Sequence, residues 1–281
     1  MSVFLMRSCK LPSGAEMPIF GIGTWRMGES GRRRAQELDA VKYALDLGYP
    51  MIDTAEMYGD GGAEEVVGEA LVGRSTRPFI VSKVYPHNAT RSGTIAACER
   101  SLERLGVERI DLYLLHWRGG ARIEETFEAF HRLRAAGKIG DFGVSNFDAD
   151  DMEDAAGLDK GLTASNQVLY CLSRRGPEFD LLPWMRKRSI PLMAYSPLDQ
   201  GGLLGKAALK KLAGEAGCTP AQLAIAWVLA QPGVVTIPKS STRERVKENL
   251  GAVEVKLTPQ ILAELDRAFP PPKGKQALEM L

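Results

Sequence analysis

The sequence predicts an α/β fold, a closed (β/α)8 TIM barrel formed by residues 1–281 as a single domain. Three observations carry that expectation. Short apolar runs alternate with longer stretches of helical periodicity, eight times along the chain. The runs are apolar nearly throughout, as expected of strands covered on both faces in a parallel sheet. The chain has 281 residues, 44% of them hydrophobic, which suits one α/β barrel of about 250 residues with a large core.

The elements follow in order. Residues 5–23, LMRSCKLPSGAEMPIFGIG, read as a short hairpin across a Pro12–Gly14 turn that leads into the first strand, 18–23. Such a hairpin can cover the N-terminal mouth of the barrel. The remaining strands are expected at 49–53, 78–83, 110–116, 138–144, 164–168, 190–196 and 233–238. Between them, AQELDAVKYALDLG places Leu38, Val41, Ala44, Leu45 and Gly48 at helical spacing. AACERSLERLGV repeats the pattern with Ala97, Leu102 and Leu105, and ETFEAFHRLRAAGK ends at Gly137, a C-cap signal. Thr219-Pro220 opens AQLAIAWVLAQ with proline in the first turn. A last helix is expected near 258–268, followed by an irregular tail, FPPPKGKQALEML. Extra loops and helices are expected at the C-terminal face. The rival topology, an open doubly wound sheet, needs G-x-G-x-x-G after a strand. GIGTW (21–25) lacks the third glycine and opens no helix.

Composition narrows the function classes. A formal net charge of +1 gives no electrostatic reason to expect nucleic acid or an acidic membrane as partner. Cys9, Cys98, Cys171 and Cys218 are scattered without C-x-x-C spacing, as in a reducing cytoplasm. His87, His116 and His131 form no H-E-x-x-H, so no metal site is expected. MSVFLMRSCK makes a poor secretory leader, because its apolar run is short and its first arginine follows that run. No run approaches 18 apolar residues.

Chemistry in such a barrel sits where the strands end at the C-terminal side. That rim carries Asp53, Tyr58, Lys83 and His116. Taken singly, each has a plain structural reading: helix cap, core ring, solvated cation, satisfied histidine. Together they suit carbonyl reduction, which needs hydride on carbon and a proton on oxygen. Tyrosine can give the proton, and a nearby ammonium favours its phenolate. An aspartate keeps that lysine charged and oriented, and a histidine can donate to the carbonyl oxygen. Two alternatives stay open. Lys83 could instead form a Schiff base with a carbonyl, or the chain could be a binding or sensing protein without useful turnover. GDGGAEE (59–65) reads as a flexible loop and helix cap, because Glu64 and Glu65 would repel an anion.

The motifs GIGTW, DTAEMYGDGGAEEVVGEAL (53–71), VSK (81–83), DLYLLHW (111–117), GVSNF (143–147), NQV (166–168), YSPL (195–198) and IPKSSTRERVKEN (237–249) stand in this order. In them the chain resembles the aldo-keto reductase superfamily over nearly its whole length, most closely small bacterial members of the methylglyoxal and diketogluconate reductase type. The resemblance implies an NADP(H)-dependent aldehyde reductase or alcohol dehydrogenase, EC 1.1.1.-, acting as a cytoplasmic monomer on small aldehydes, ketones and dicarbonyls. The catalytic tetrad would be Asp53, Tyr58, Lys83 and His116, with Tyr58 as general acid. Ser145, Asn146 and Gln167 would hold the nicotinamide carboxamide of NADPH or NADP+, and Tyr195 would stack on the ring. Ser196, Leu198 and Gly201 would line the diphosphate path, with Gly23, Thr24, Trp25 and Asp53 approaching from the first two strands and Ile237 from the last. Lys239 and Arg245, helped by Ser240 and Thr242, would take the 2′-phosphate, for which charge-assisted contacts are suited. Glu248 and Asn249 would meet the adenine. Trp25, Met57, Tyr85, His116 and Trp117 would face the substrate, with His87 nearby.

Some residues depart from the better-known members. HWR (116–118) replaces the common HWP, and Glu56 stands where many eukaryotic members carry other residues. The short stretch after the last helix leads to the expectation of an open pocket.

Overall fold

A computed structural model describes residues 7–159 and 161–281. Residues 1–6, most of the MSVFLMRSCK segment, lie outside it. The hairpin β1 (Ser8–Lys10) and β2 (Glu16–Pro18) pairs antiparallel, with Cys9 opposite Met17. Eight parallel strands follow: β3 (Ile22–Gly23), β4 (Met51–Asp53), β5 (Phe79–Val84), β6 (Ile110–Leu115), β7 (Ile139–Ser145), β8 (Thr163–Leu169), β9 (Leu192–Tyr195) and β10 (Val234–Thr236). Each pairs with the next. The ring closes between its first and last members. Gly21 N–H donates to Thr236 C=O at 3.0 Å, Thr236 N–H to Ile19 C=O at 2.9 Å and Gly23 N–H to Pro238 C=O at 3.3 Å.

The helices α1 (Gly31–Asp46), α2 (Gly62–Leu71), α3 (Arg91–Leu105), α4 (Ile123–Ala135), α5 (Ala149–Asp159) and α6 (Leu181–Lys187) alternate with the strands. After β9 come α7 (Ala207–Glu215) and α8 (Pro220–Leu229), and after β10 come α9 (Arg243–Leu250) and α10 (Pro259–Ala268). The local signals in the sequence act as expected. Gly137 takes φ +74° just past α4, a conformation that costs glycine nothing. Thr219 and Gln222 form a capping box at the start of α8. The strands are buried almost throughout, and Trp227, Tyr113, Phe130 and Phe142 fill space between sheet and helices without exposure.

The hairpin closes the N-terminal mouth. Leu11 and Met17 are buried. Ser13 is tied to Asp141 near the start of β7, through its hydroxyl and through its N–H at 3.2 Å. No helix is long and apolar enough to cross a membrane among the described residues.

Two features differ from the expectations. Residues 59–62 form a packed turn, not a flexible loop. Gly28 has φ +75°, and a Cβ there would lie 2.2 Å from the backbone of Gly62, so the loops after β3 and β4 touch backbone to backbone. Glu64 is fully buried, bonded to Ser82 Oγ at 2.6 Å and to Arg104 Nη2 at 2.6 Å. The second difference is the tail. Residues 269–281 return across the C-terminal face, with Lys275 beside Asp150 at 3.1 Å and Glu279 beside Arg174 at 2.5 Å. The pocket is partly covered by the tail instead of being left open.

Candidate active site

Strand register gathers the polar residues. Asp53 pairs with Val81, and Lys83 lies two residues further along β5. Lys83 pairs with Leu114, and His116 lies two residues beyond it. Leu114 pairs with Gly143, and Ser145 lies two residues on and pairs with Gln167. Gln167 pairs with Met193, and Tyr195 lies two residues on. Side chains alternate faces with period two, so this staggered climb sets Asp53, Lys83, His116, Ser145, Gln167 and Tyr195 on one inward spiral. Tyr58 arrives from the loop after β4, its N–H bonded to Ala55 C=O at 3.1 Å.

Lys83 is the hub. Its ammonium is fully buried and donates to Asp53 Oδ2 at 2.9 Å, Thr54 C=O at 2.8 Å and the Tyr58 hydroxyl oxygen at 3.2 Å. Gln167 Nε2 donates to the other Asp53 oxygen at 2.7 Å. The Tyr58 and His116 rings meet edge to face, 5.5 Å apart. Asn146 takes φ +59°, donates from Nδ2 to His116 C=O at 3.1 Å, and accepts from the Tyr195 hydroxyl at 2.9 Å.

Burial sets the electrostatics. It pushes the Lys83 ammonium below its ordinary pKa, and Asp53 opposes that shift. Burial pushes Asp53 up, and Lys83 opposes that. It pushes the Tyr58 phenol well above its ordinary pKa, and the Asp53 carboxylate adds to the shift. This runs against the expectation from an adjacent ammonium alone, because a buried phenolate loses its hydration while Asp53 offsets the Lys83 charge. Burial, then the Lys83 charge, holds the His116 imidazole well below its usual range, so the ring is neutral at pH 7. Its Nδ1 is buried and has no hydrogen-bond partner among the described residues.

These groups open on a cavity of about 260 Å³. It is lined by the polar residues Asp53, Tyr58, Ser145, Asn146 and Gln167 and by the rings of Tyr195, His116, Trp25 and Trp117 with Met57. Gly23, Ile237 and Ser196 complete one side, and Met280 and Leu281 of the tail cover another. A second groove of about 530 Å³ shares Trp25, Ser196 and Lys239 with the cavity, so the two adjoin. The groove is walled by Leu198, Gly201, Ser240, Arg245, Glu248 and Asn249. Asn249 Nδ2 donates to Ser240 Oγ at 2.9 Å. Burial lowers the Lys239 pKa, and Arg33, Arg245 and Arg26 lower it further against Glu37.

Three expected residues stand elsewhere. Thr24 is fully buried, its hydroxyl donating to Asp53 C=O at 3.0 Å, so it braces the strand ends and does not face the groove. Thr242 caps α9, accepting from Arg245 N–H at 3.4 Å. Tyr85 stands behind Trp117, ring centroids 5.2 Å apart, with His87 stacked on its far side at 4.5 Å. Sequence reasoning missed Arg26 and Arg33, which border the groove, and the tail residues Met280 and Leu281. The three arginines in a row at 32–34 were a readable sign of the former. Nothing in the sequence pointed to the latter.

The chain is similar to known proteins in sequence and in fold. The model of the Aldo/keto reductase family matches residues 20–269. A methylglyoxal reductase of Escherichia coli, YeaE, is 49% identical, over 94% of this chain and 95% of its own. A glyoxal reductase of Bacillus subtilis is 36% identical, over 95% and 94%. A crystal structure of an aldo-keto reductase from Klebsiella pneumoniae in complex with NADPH superimposes with a TM-score of 0.94, at 46% identity, over 98% of this chain and 99% of that one.

Proposed function

The chain belongs to the aldo/keto reductase family, and from that premise we propose that it reduces small aldehydes, ketones and dicarbonyls to alcohols with NADPH, as a cytoplasmic monomer. The observation that carries the reading is the Tyr58 phenol, hydrogen-bonded by Lys83 of a buried Lys83–Asp53 pair, in the wall of a cavity that adjoins a cation-walled groove. The similarity to a methylglyoxal reductase and a glyoxal reductase supports dicarbonyls as the substrate class.

The donor set fits the dinucleotide. Asn146 and Gln167 offer amides in the cavity, Tyr195 a ring beside them, and Ser196, Leu198 and Gly201 line the way out. Lys239, Arg245 and Ser240 supply the charge-assisted contacts that a phosphate needs, and Arg26 and Arg33 face the same groove. Glu248 and Asn249 stand at its far end for the adenine. When bound, NADPH supplies the hydride.

The remaining work falls to the chain's own groups. Tyr58 holds its proton firmly in the ground state and gives it up only as negative charge grows on the carbonyl oxygen. Lys83 already donates to the phenol oxygen, so its ammonium stabilises the phenolate left behind. Asp53 keeps that ammonium charged against the pull of burial. The neutral His116 ring, next to the Tyr58 ring, can donate a hydrogen bond that orients the carbonyl. Lys83 itself is fully buried beneath Tyr58 and already has three partners, which leaves the Schiff-base alternative unsupported.

A panel of methylglyoxal, glyoxal, short aldehydes and aldoses, followed by NADPH absorbance with NADH as control, tests the reading. NADPH oxidation with dicarbonyls is expected. Tight NADPH binding without turnover on any carbonyl would leave only a nucleotide-binding role.

A further inference from the structure

Glu56 lies two residues before Tyr58, yet its side chain serves a different loop. The residue is only 8% exposed and does not line the cavity. Its Oε1 accepts from the Tyr85 N–H at 2.7 Å and from Asn88 Nδ2 at 3.0 Å, and Arg100 approaches Oε2 at 3.4 Å. One carboxylate thus fastens the segment carrying Met57 and Tyr58 to the turn at 85–88.

That turn supports the cavity wall. The Tyr85 ring meets Trp117 edge to face at 5.2 Å, and Trp117 packs on His116 at 4.9 Å. Gly119, just past Trp117, lies so close to Pro86 that a Cβ there would fall 2.7 Å from the proline's own Cβ. Met57 and Trp117 both line the cavity. They sit on different loops, and Glu56 ties the first of them to the 85–88 turn against which Trp117 packs.

We propose that Glu56 is a positioning residue that holds Trp117 in place through Tyr85 and so sets the width of the carbonyl pocket. The proposal rests on reading that cavity as the carbonyl site. Removing the carboxylate frees the 85–88 turn and lets Trp117 shift, while Tyr58, Lys83 and Asp53 keep their own hydrogen bonds. The loss therefore falls on small carbonyls, which depend on a close-fitting wall, and not on proton transfer.

The test is a kinetic comparison of wild type, Glu56→Ala and Glu56→Gln with methylglyoxal and with a bulky aromatic aldehyde. Glu56→Ala is expected to raise KM for methylglyoxal about tenfold, leave kcat within about threefold, and change KM for the aromatic aldehyde much less. Its kcat–pH profile and its NADPH Kd, read by fluorescence titration, stay at wild-type values. Glu56→Gln, which keeps the Oε1 acceptor, restores most of the KM. In a double-mutant cycle with Trp117→Ala, the two KM effects are expected to be less than multiplicative, because both act through one ring. Multiplicative effects, an unchanged KM, or an NADPH Kd that rises in step with KM would overturn the proposal. If Glu56→Ala does not fold, Asn88→Ala and Tyr85→Ala take its place in the same cycle, with the same criteria. A wild type that oxidises no NADPH with any carbonyl overturns the underlying reading. A wild type that does so while Glu56→Ala keeps its KM overturns the positioning role alone.

Discussion

The Lys83 ammonium donates to the Tyr58 hydroxyl oxygen at 3.2 Å while lying 4.8 Å from the centroid of the same ring. One cation is therefore shared between the phenol of Tyr58 and the carboxylate of Asp53, and the site can be tested from either end.

Replacing Tyr58 by Phe removes the proposed proton donor but not the walls of the cavity. Turnover is expected to fall by about 10²–10⁴-fold, the usual contribution of a positioned acid. NADPH Kd by fluorescence titration should stay within error of wild type. Near wild-type turnover would show that the proton comes from elsewhere.

Lys83→Met leaves the Asp53 carboxylate buried with Gln167 as its remaining side-chain partner. Breaking a buried pair in this way costs about 3–5 kcal/mol, which for a chain of this size lowers Tm by about 10 °C. Calorimetry checks this. The double variant Lys83→Met, Asp53→Leu should recover part of the loss, since no charge is then stranded.

The pH dependence of stability follows from His116. Its pKa is depressed in the folded state by burial and by Lys83, so the unfolded chain binds a proton first as pH falls. The associated stability is complete above the unfolded value of about 6.5 and is lost as pH drops toward the folded value. Between pH 7 and 5.5 this amounts to about 1 kcal/mol. Urea unfolding of wild type and His116→Asn at both pH values should show that difference, with the variant less sensitive. Equal pH sensitivity would assign the dependence to other groups.

In the proposed reading, nucleotide choice depends on the groove cations. Arg245→Ala should weaken NADPH by about 10–100-fold, as expected for one hydrogen bond to a charged group, and leave NADH nearly unchanged. Titration with both nucleotides measures the ratio. An equal loss for both would move Arg245 from the 2′-phosphate to a part that the two nucleotides share.

Gly28→Ala should open the junction between the loops that carry Trp25 and Tyr58. The added methyl would fall 2.2 Å from Gly62 backbone in a residue at φ +75°. Overpacking of this kind costs about 1–3 kcal/mol, and the left-handed backbone adds about 1 kcal/mol. Thermal denaturation reads the sum, and a Tm within about 2 °C of wild type would contradict the close packing.

Much of the barrel could be read in the chain because its strands are buried on both faces and so leave unbroken apolar runs. Asp53, Tyr58, Lys83 and His116 could be placed at one rim because strand ends are predictable from those runs. What stayed hidden depends on contacts between distant segments. The sequence reading of Glu64 saw only its charge, since its partners Ser82 and Arg104 lie on other elements. The resemblance places Thr24 with Gly23 along the diphosphate path, but its side chain turns toward Asp53 C=O, a contact between two strand ends that no motif records. The ammonium's influence on Tyr58 was visible from residue types, whereas the greater effect of burial required coordinates. The tail has no periodicity to betray its course, and its anchors at Arg174 and Asp150 are more than a hundred residues earlier.

The junction between β3 and β10 is the thinnest seam of the ring. It depends on a few backbone bonds around Ile19, Gly21, Gly23 and Thr236, and Pro238 has no N–H with which to extend it. Gly23 and Lys239 face each other across this seam and both border the cavity. A molecule lying across both would act as a stitch, so occupancy and the mechanical integrity of the whole cylinder become one property. Amide protons along residues 19–23 and 234–238 would then exchange slowest when the stitch is in place.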